Sequence, residues 1–172
     1  IHDLRSALAF CEETANTRLM LELVAGSGVL WTQLGLMNEQ FRYIEKAINI
    51  LDSSQTNDAA IETQLRSAYG AIAYNVHSGA GDNEGLRQFE LAARSARDLD
   101  DSTMILRARS GVCAILTTQG LYTEANDVAA ALRLEVGPDA DSAVTRIFAQ
   151  NSHYLGRHDD AFRFARQSLE AN

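Results

Sequence analysis

Gly35…Asn38-Glu39-Gln40, Ala80…Asn83-Glu84-Gly85, Gly120…Thr123-Glu124-Ala125 and Gly156…Asp159-Asp160-Ala161 are four copies of one short pattern spread along a chain of 172 residues. Each copy sets a small residue first, a helix-capping side chain three positions on, then an acid, then a small or polar residue. From cap to cap the copies are 45, 40 and 36 residues apart. Glycine takes a left-handed conformation at no steric cost, so it stops one helix and turns the chain. Asn38, Asn83, Thr123 and Asp159 are expected to accept from an orphaned amide of the next helix, with Glu39, Glu84, Glu124 and Asp160 placing negative charge at the positive end of its dipole. The region Gly79-Ala80-Gly81 supplies its glycines on either side of the small residue. Self-similarity at this period, with no strand signal between copies, predicts an all-α fold: a right-handed superhelix of antiparallel helix pairs, an α-solenoid in which each pair buries its apolar face on its neighbours.

Working outward from these turns, the apolar periodicity predicts a single domain over 1–172 with nine helices. A leading helix spans 2–14, with Asp3 as its cap and Leu4, Leu8 and Cys11 on one stripe. Repeats follow over about 17–51, 58–99, 102–135 and 142–170, split into helices 17–34 with 38–51, 58–78 with 83–99, 102–119 with 123–135, and 142–155 with 159–170. The connectors 52–57 and 136–141 carry turn chemistry, and the single proline, Pro138, falls in the second of them. Trp31, one turn before Gly35, is expected in the core.

Composition narrows the function classes. Hydrophobic residues make up 46% of the chain, enough for a sizeable elongated core. The net charge of −8 opposes direct binding of nucleic acid, which rests on releasing counterions from phosphate. No apolar run reaches the roughly 20 residues of a membrane span. Two cysteines, Cys11 and Cys113, sit far apart inside helical patterns with no C-x-x-C, which places the chain in the reduced cytoplasm. The start at Ile1, directly in a helix, is read as the edge of a fragment of a larger protein.

Within the predicted pairs, small and large residues recur in register. The first unit gives Gly28, Trp31, Gly35, then Gln40, Ile44, Ala47; the second Ala73, Val76, Ala80, then Gly85, Phe89, Ala92. The third gives Cys113, Leu116, Gly120, then Ala125, Ala129, Leu132, and the fourth Ala149, Ser152, Gly156, then Ala161, Ala165, Ser168. This arrangement resembles the tetratricopeptide repeat over about Leu19 to Leu169, with a longer period than that family's usual 34 residues. The opening, His2-Asp3-Leu4-Arg5-Ser6-Ala7-Leu8-Ala9-Phe10 with Leu19 to Leu23, Trp31, Gly35 and Arg42 to Ile48, is similar to the junction where tetratricopeptide arms begin in bacterial signal-transduction ATPase transcription regulators. Asp3 stands where that family commonly has Asn. The resemblance implies a sensor or interaction arm rather than the ATPase, because the chain holds no G-x-x-x-x-G-K-[ST] phosphate loop.

Catalytic chemistry is not legible. The glycine-rich stretches Ala25-Gly26-Ser27-Gly28 and Ser78 to Gly85 follow no strand, so they read as close helix packing and as a turn rather than as nucleotide loops. His153 and His158 are five apart, off the spacing that puts two ligands on one helical face, and lack a third ligand. Asp100-Asp101 and Asp159-Asp160 are helix starts, and Cys11 and Cys113 read as small core residues. No enzyme, metal or cofactor is expected. The register instead turns one face of each first helix into a groove, whose inward positions include Arg107, Arg146, Tyr74, His77, Gln150 and His153. These polar and aromatic side chains among small residues suit a protein or peptide partner, acidic or extended, or a small polar effector. The expected function is a non-catalytic protein-interaction or effector-sensing arm of an ATPase-type transcription regulator, with a general assembly scaffold as the alternative.

Overall fold

The structure, a computed structural model, describes residues 1–53, 58–76 and 83–170. Among these residues the chain is all-helical, without a strand. The helices are α1 (His2–Glu13), α2 (Thr17–Gly26), α3 (Gly28–Gln33), α4 (Met37–Ser53), α5 (Ala59–Val76), α6 (Asn83–Asp98), α7 (Ser102–Thr118), α8 (Tyr122–Val136), α9 (Asp141–Tyr154) and α10 (His158–Glu170), with a 3-10 turn at Gly137–Ala140 between α8 and α9. Each helix packs on its successor, and contacts of α5 with α2 and α7, and of α7 with α9, set α2, α5, α7 and α9 in a row. None of the helices among the described residues is long and apolar enough to cross a membrane.

The turns work differently from the sequence expectation. Gly35, Gly120 and Gly156 adopt φ of +66, +78 and +74 degrees, so the glycines do end their helices in the left-handed conformation. The following residue, however, already opens the next helix. Leu36 N–H donates to Trp31 O while Leu36 O accepts from Gln40 N–H, and Leu121 and Arg157 repeat both bonds. Asn38, Thr123 and Asp159 therefore lie inside the first turn, and α8 starts at the uncapped Leu121 without a side-chain bond. Their assignment as caps is corrected; the acids Glu39, Glu124 and Asp160 keep their first-turn places. Asp3 likewise sits within α1, whose cap position is Ile1. The fourth turn, around Ala80, lies outside the described residues.

Two joints of the same form use no glycine. Ala15 (φ +53) and Asp100 (φ +52) take the left-handed conformation, closing α1 and α6. Here the next residue caps with its side chain as well as its backbone. Asn16 Oδ1 accepts from Leu19 N–H at 3.2 Å and Asp101 Oδ1 from Met104 N–H at 3.0 Å.

The expected helix 17–34 is interrupted at Ser27. Its hydroxyl donates to Val24 O at 3.3 Å, the carbonyl that an unbroken helix would pair with Gly28 N–H, and accepts from Trp31 Nε1 at 2.9 Å. Trp31 is fully buried and stacks on Tyr43 with ring centroids 5.8 Å apart, as expected of a core residue. Around it cluster Leu8, Leu21, Val24, Ile44, Leu65 and Ile72 from four other helices. A second cluster joins Ile105, Cys113, Leu132, Val144 and Ile147.

Between the clusters sits Phe89 of α6, 6% exposed. A Cβ on Gly70 of α5 would meet its Cδ2 at 2.6 Å, and one on Gly111 of α7 would meet its Cδ1 at 2.6 Å. The ring thus fills the room that two missing side chains leave in the row. At the far end, α10 buries none of its residues, so Ala161, Ala165 and Ser168 do not reach the core as the repeat pattern implies. It rests on α9 through Phe164 against Phe148, centroids 5.4 Å apart, and through the Ser168 hydroxyl donating to Ser142 O.

Two stability outcomes follow from this geometry. Gly111→Ala is expected to cost about 1–3 kcal/mol by overpacking, and Phe89→Leu in the same chain to recover part of that loss. Denaturant titration of the two single variants and the double variant measures the coupling, and additive losses would show that ring and glycine are not wedged together. Ala15→Gly is expected to raise stability by roughly 0.5–1 kcal/mol, the left-handed penalty less the extra chain entropy of glycine. A lower melting temperature for this variant would contradict the turn geometry.

Candidate functional site

Two recesses lie along the row of α2, α5, α7 and α9. The larger, about 630 Å³, is walled by Ala25, Gly26, Gly28, Val29 and Thr32 from α2 and α3, by Gln64, Ala68, Ala71 and Ile72 from α5, and by Met104 and Arg107 from α7; Gln33, Met37 and Gln40 complete it. The smaller, about 270 Å³, lies between α7 and α9 and is walled by Ser110, Ala114, Thr117, Thr118, Arg146, Ile147 and Gln150. The small residues come from the repeat pattern itself, since every helix of the row must approach its neighbours closely. Space is left where those residues face outward.

The structure distributes the sequence-predicted residues as follows. Arg107 lines the larger recess, and Arg146 and Gln150 line the smaller one. His153 lines neither; its ring lies 5.6 Å from that of His158 and 5.8 Å from that of Tyr154. The turn at Gly156 brings the two histidines together, yet no group of three metal-ligating side chains occurs among the described residues. Tyr74 belongs to α5, and His77 lies outside the described residues. Among the small residues of the same helices, Ser67 and Gly70 are buried in helix packing, and Gly111 lies against Phe89.

Each recess contains one charged residue, an arginine, and no acid. Both arginines are exposed, and neither enters an ion pair among the described residues. In contrast, the charges lining the surface between α4 and α6 are mixed, with Arg42, Lys46 and Arg87 among Glu45, Asp52 and Glu84. A guanidinium without a neighbouring carboxylate keeps its fork of donors free for an incoming anion.

Sequence reading missed the polar groups that brace this surface from behind. Arg66 of α5 is buried and donates to Asp52 Oδ1 at 2.6 Å, Glu62 Oε1 at 2.7 Å and Gln88 Oε1 at 2.9 Å, tying α4, α5 and α6 together. Gln88 passes the network on to Glu84 at 2.7 Å. The Arg87 guanidinium, followed by the Gln88 amide, holds the Glu84 carboxyl below its ordinary value against the opposing effect of burial. In the second half, Asn151 of α9 accepts from Thr117 Oγ1 and donates to Asn126 Oδ1, both at 2.8 Å, joining α9 to α7 and α8. Glu62 and Glu84 stand four residues from their partners on the same helix, but the links from Arg66 to Asp52 and Gln88 and from Asn151 to Thr117 and Asn126 join residues 14 to 34 apart on different helices, so no local spacing announces those.

Gln40 was also missed as a recess residue. It is only 4% exposed, and its Oε1 has no hydrogen-bond partner. A signal existed in the register: the positions matching Gln40 in the other units hold Gly85, Ala125 and Ala161, and the facing residue Gly28 is matched by Ala73, Cys113 and Ala149. A Cβ on Gly28 would lie 3.5 Å from Gln40 Nε2, whereas Gly26 has open space around it.

No protein-family model matches the chain, and no curated protein matches it.

Cys113 behaves as a structural thiol. It is fully buried, Sγ lies 3.5 Å from Ala125 O, and burial pushes its pKa up to about 11, outweighing the opposing field of Arg109. At pH 8 the thiolate fraction is accordingly negligible, and iodoacetamide is expected to leave Cys113 unmodified in the folded chain while labelling it in guanidinium. Peptide mapping by mass spectrometry decides; rapid native labelling would remove Cys113 from the core.

Proposed function

We propose that this chain is a non-catalytic binding arm, tetratricopeptide-like, in which antiparallel helix pairs form a right-handed superhelix and the row α2, α5, α7 and α9 lines its inner face. The observation that carries the reading is the charge sorting at the two recesses: in a chain of net charge −8, each has a single cation and no acid. Unpaired guanidinium groups over small-residue surfaces are a local attractor for a carboxylate or phosphate on an otherwise anionic body. An acidic peptide or a small anionic effector fits that attractor, with Arg107, Arg146 and Gln150 as contacts and with Tyr74, His77 and His153 as further candidates from the sequence alone. Nucleic acid does not fit it, because two isolated cations release too few counterions to offset the net charge.

The similarity of residues 2–10 and 42–48 to the opening of regulator arms supports the narrower proposal, an arm through which an ATPase-type transcription regulator senses an effector or partner in the cytoplasm. A second reading, a general assembly scaffold, is favoured by one feature. Phe162 and Leu169 of α10 are 74% and 80% exposed, an apolar surface of the kind found at protein interfaces.

The test is fluorescence anisotropy with labelled acidic octapeptides and competition by small organic acids. Arg107→Gln with Arg146→Gln is expected to leave the far-ultraviolet spectrum unchanged and weaken binding by about tenfold or more, as loss of charge-assisted hydrogen bonds implies. Unchanged affinity in the double variant would move recognition away from the recesses, toward the ends of the stack.

A further inference from the structure

We infer that the larger recess is the seat of a small organic acid, one with an apolar body, a carboxylate and an N–H or O–H donor; this deepens the binding-arm reading above and rests on it. The volume, about 630 Å³, falls within the roughly 300–1,000 Å³ typical of small-molecule sites. Its lining has the composition of such sites. Ala25, Val29, Ala68, Ile72 and Met104 supply apolar wall, and a few polar groups stand at fixed points.

The first fixed point is Arg107, the recess's only charge, which has no carboxylate partner among the described residues. It calls for an anion. The second is Gln40, sealed from water except for 4% of its surface, with an oxygen that no donor reaches. A buried acceptor left without a partner is costly, and its neighbours in the other units avoid the cost by being alanine or glycine. The amide lies beside Gly28, where a Cβ would stand 3.5 Å from its Nε2, at ordinary contact distance. Rotation about the last glutamine torsion, which is soft and nearly two-fold, lets the amide turn its oxygen toward the recess. There it can accept from a ligand N–H or O–H. Thr32, the nearest hydroxyl of α3 in the wall, is already committed, donating to Gly28 O at 3.0 Å.

An extended peptide is the less favoured occupant. Its length would have to pass from this recess to the one at Arg146, and the polar features of the two are unlike: the buried, unpartnered amide belongs to the larger one alone, among the described residues. A compact acid uses both fixed points within one recess.

The experiment uses the full chain and three matched probes, followed by protein-detected NMR: N-acetyl-leucine, which has acid, donor and apolar body; N-acetyl-leucinamide, which lacks the acid; and 4-methylpentanoate, which lacks the donor. N-acetyl-leucine is expected to bind about tenfold or more tightly than either analogue. Arg107→Gln should erase the preference over the amide, and Gln40→Leu the preference over 4-methylpentanoate. Gln40→Leu keeps the size and removes the unpaired atom, so the fold should hold. Gly28→Ser gives a second variant, placing a hydroxyl beside the amide so that the chain satisfies it internally, and should act in the same direction. Arg146→Gln should change neither preference. Equal binding of the three probes, no binding, or equal sensitivity to Arg146→Gln would overturn the inference. In those cases an acidic octapeptide that binds and is lost in the double arginine variant would leave the binding-arm proposal standing; an octapeptide that also fails to bind would remove both.

Discussion

The packing of one phenyl ring between two helix backbones sets the spacing of everything around it. Phe89 projects from α6 into the gap between α5 and α7, and that gap exists only because residues 70 and 111 have no side chains. At other aromatic contacts, such as Trp31 on Tyr43 and Phe148 on Phe164, ring meets ring. Here backbone faces ring, and neither compresses. The distance between α5 and α7 is therefore set by aromatic thickness rather than by a compressible mixture. Because the larger recess is walled by Gln64, Ala68, Ala71 and Ile72 of α5 and by Met104 and Arg107 of α7, the same contact fixes its width.

The joints between helices show a second kind of constraint, a trade between backbone and side chain. Five joints have one form, in which a left-handed residue is followed by a residue whose N–H closes the old helix and whose C=O opens the new one. Where the left-handed residue is glycine, the next residue is Leu36, Leu121 or Arg157, none of which caps with its side chain. Where it is Ala15 or Asp100, the next residue is Asn16 or Asp101, and each does. A left-handed non-glycine residue costs about 1–2 kcal/mol and a side-chain cap contributes about 1 kcal/mol, so the two departures are of similar size and opposite sign.

That trade explains what the sequence made legible and what it hid. Helix content and most boundaries follow from 3.6-residue periodicity and from glycines at 35, 120 and 156, which are local signals, whereas the nine expected helices are ten among the described residues because 17–34 is broken. The caps were placed two residues late because the pattern of glycine followed by Asn, Thr or Asp three positions on was read as turn and cap. In fact the next helix opens at the residue directly after the glycine, and there the backbone of Leu36, Leu121 or Arg157 does the work. The break at Ser27 was hidden for a similar reason: a serine in a helical pattern does not declare that its hydroxyl will take both the Val24 carbonyl and the Trp31 indole. Of the residues assigned to the groove, periodicity placed Arg107, Arg146 and Gln150 along recesses, but not His153. The Arg66 and Asn151 networks were not, since each member contacts a helix whose position only tertiary packing decides.

The recesses are a consequence of those packing rules at the point where they stop being satisfied. A unit built on the common pattern would face Ala or Cys across from Ala or Gly and close the space. The first unit instead pairs Gly28 with Gln40, which conserves volume but brings a polar amide into a site with no partner for its oxygen. A core position can tolerate such a group for packing alone, but alanine would fill the place at lower cost, as it does at Ala125 and Ala161. Nor does the surrounding surface neutralise the neighbouring Arg107, although the chain has acids to spare. An unmet acceptor and an unmet cation within one recess are complementary to a single molecule that brings a donor and an anion together. Local inconsistency of this kind is where a binding function is most readily placed.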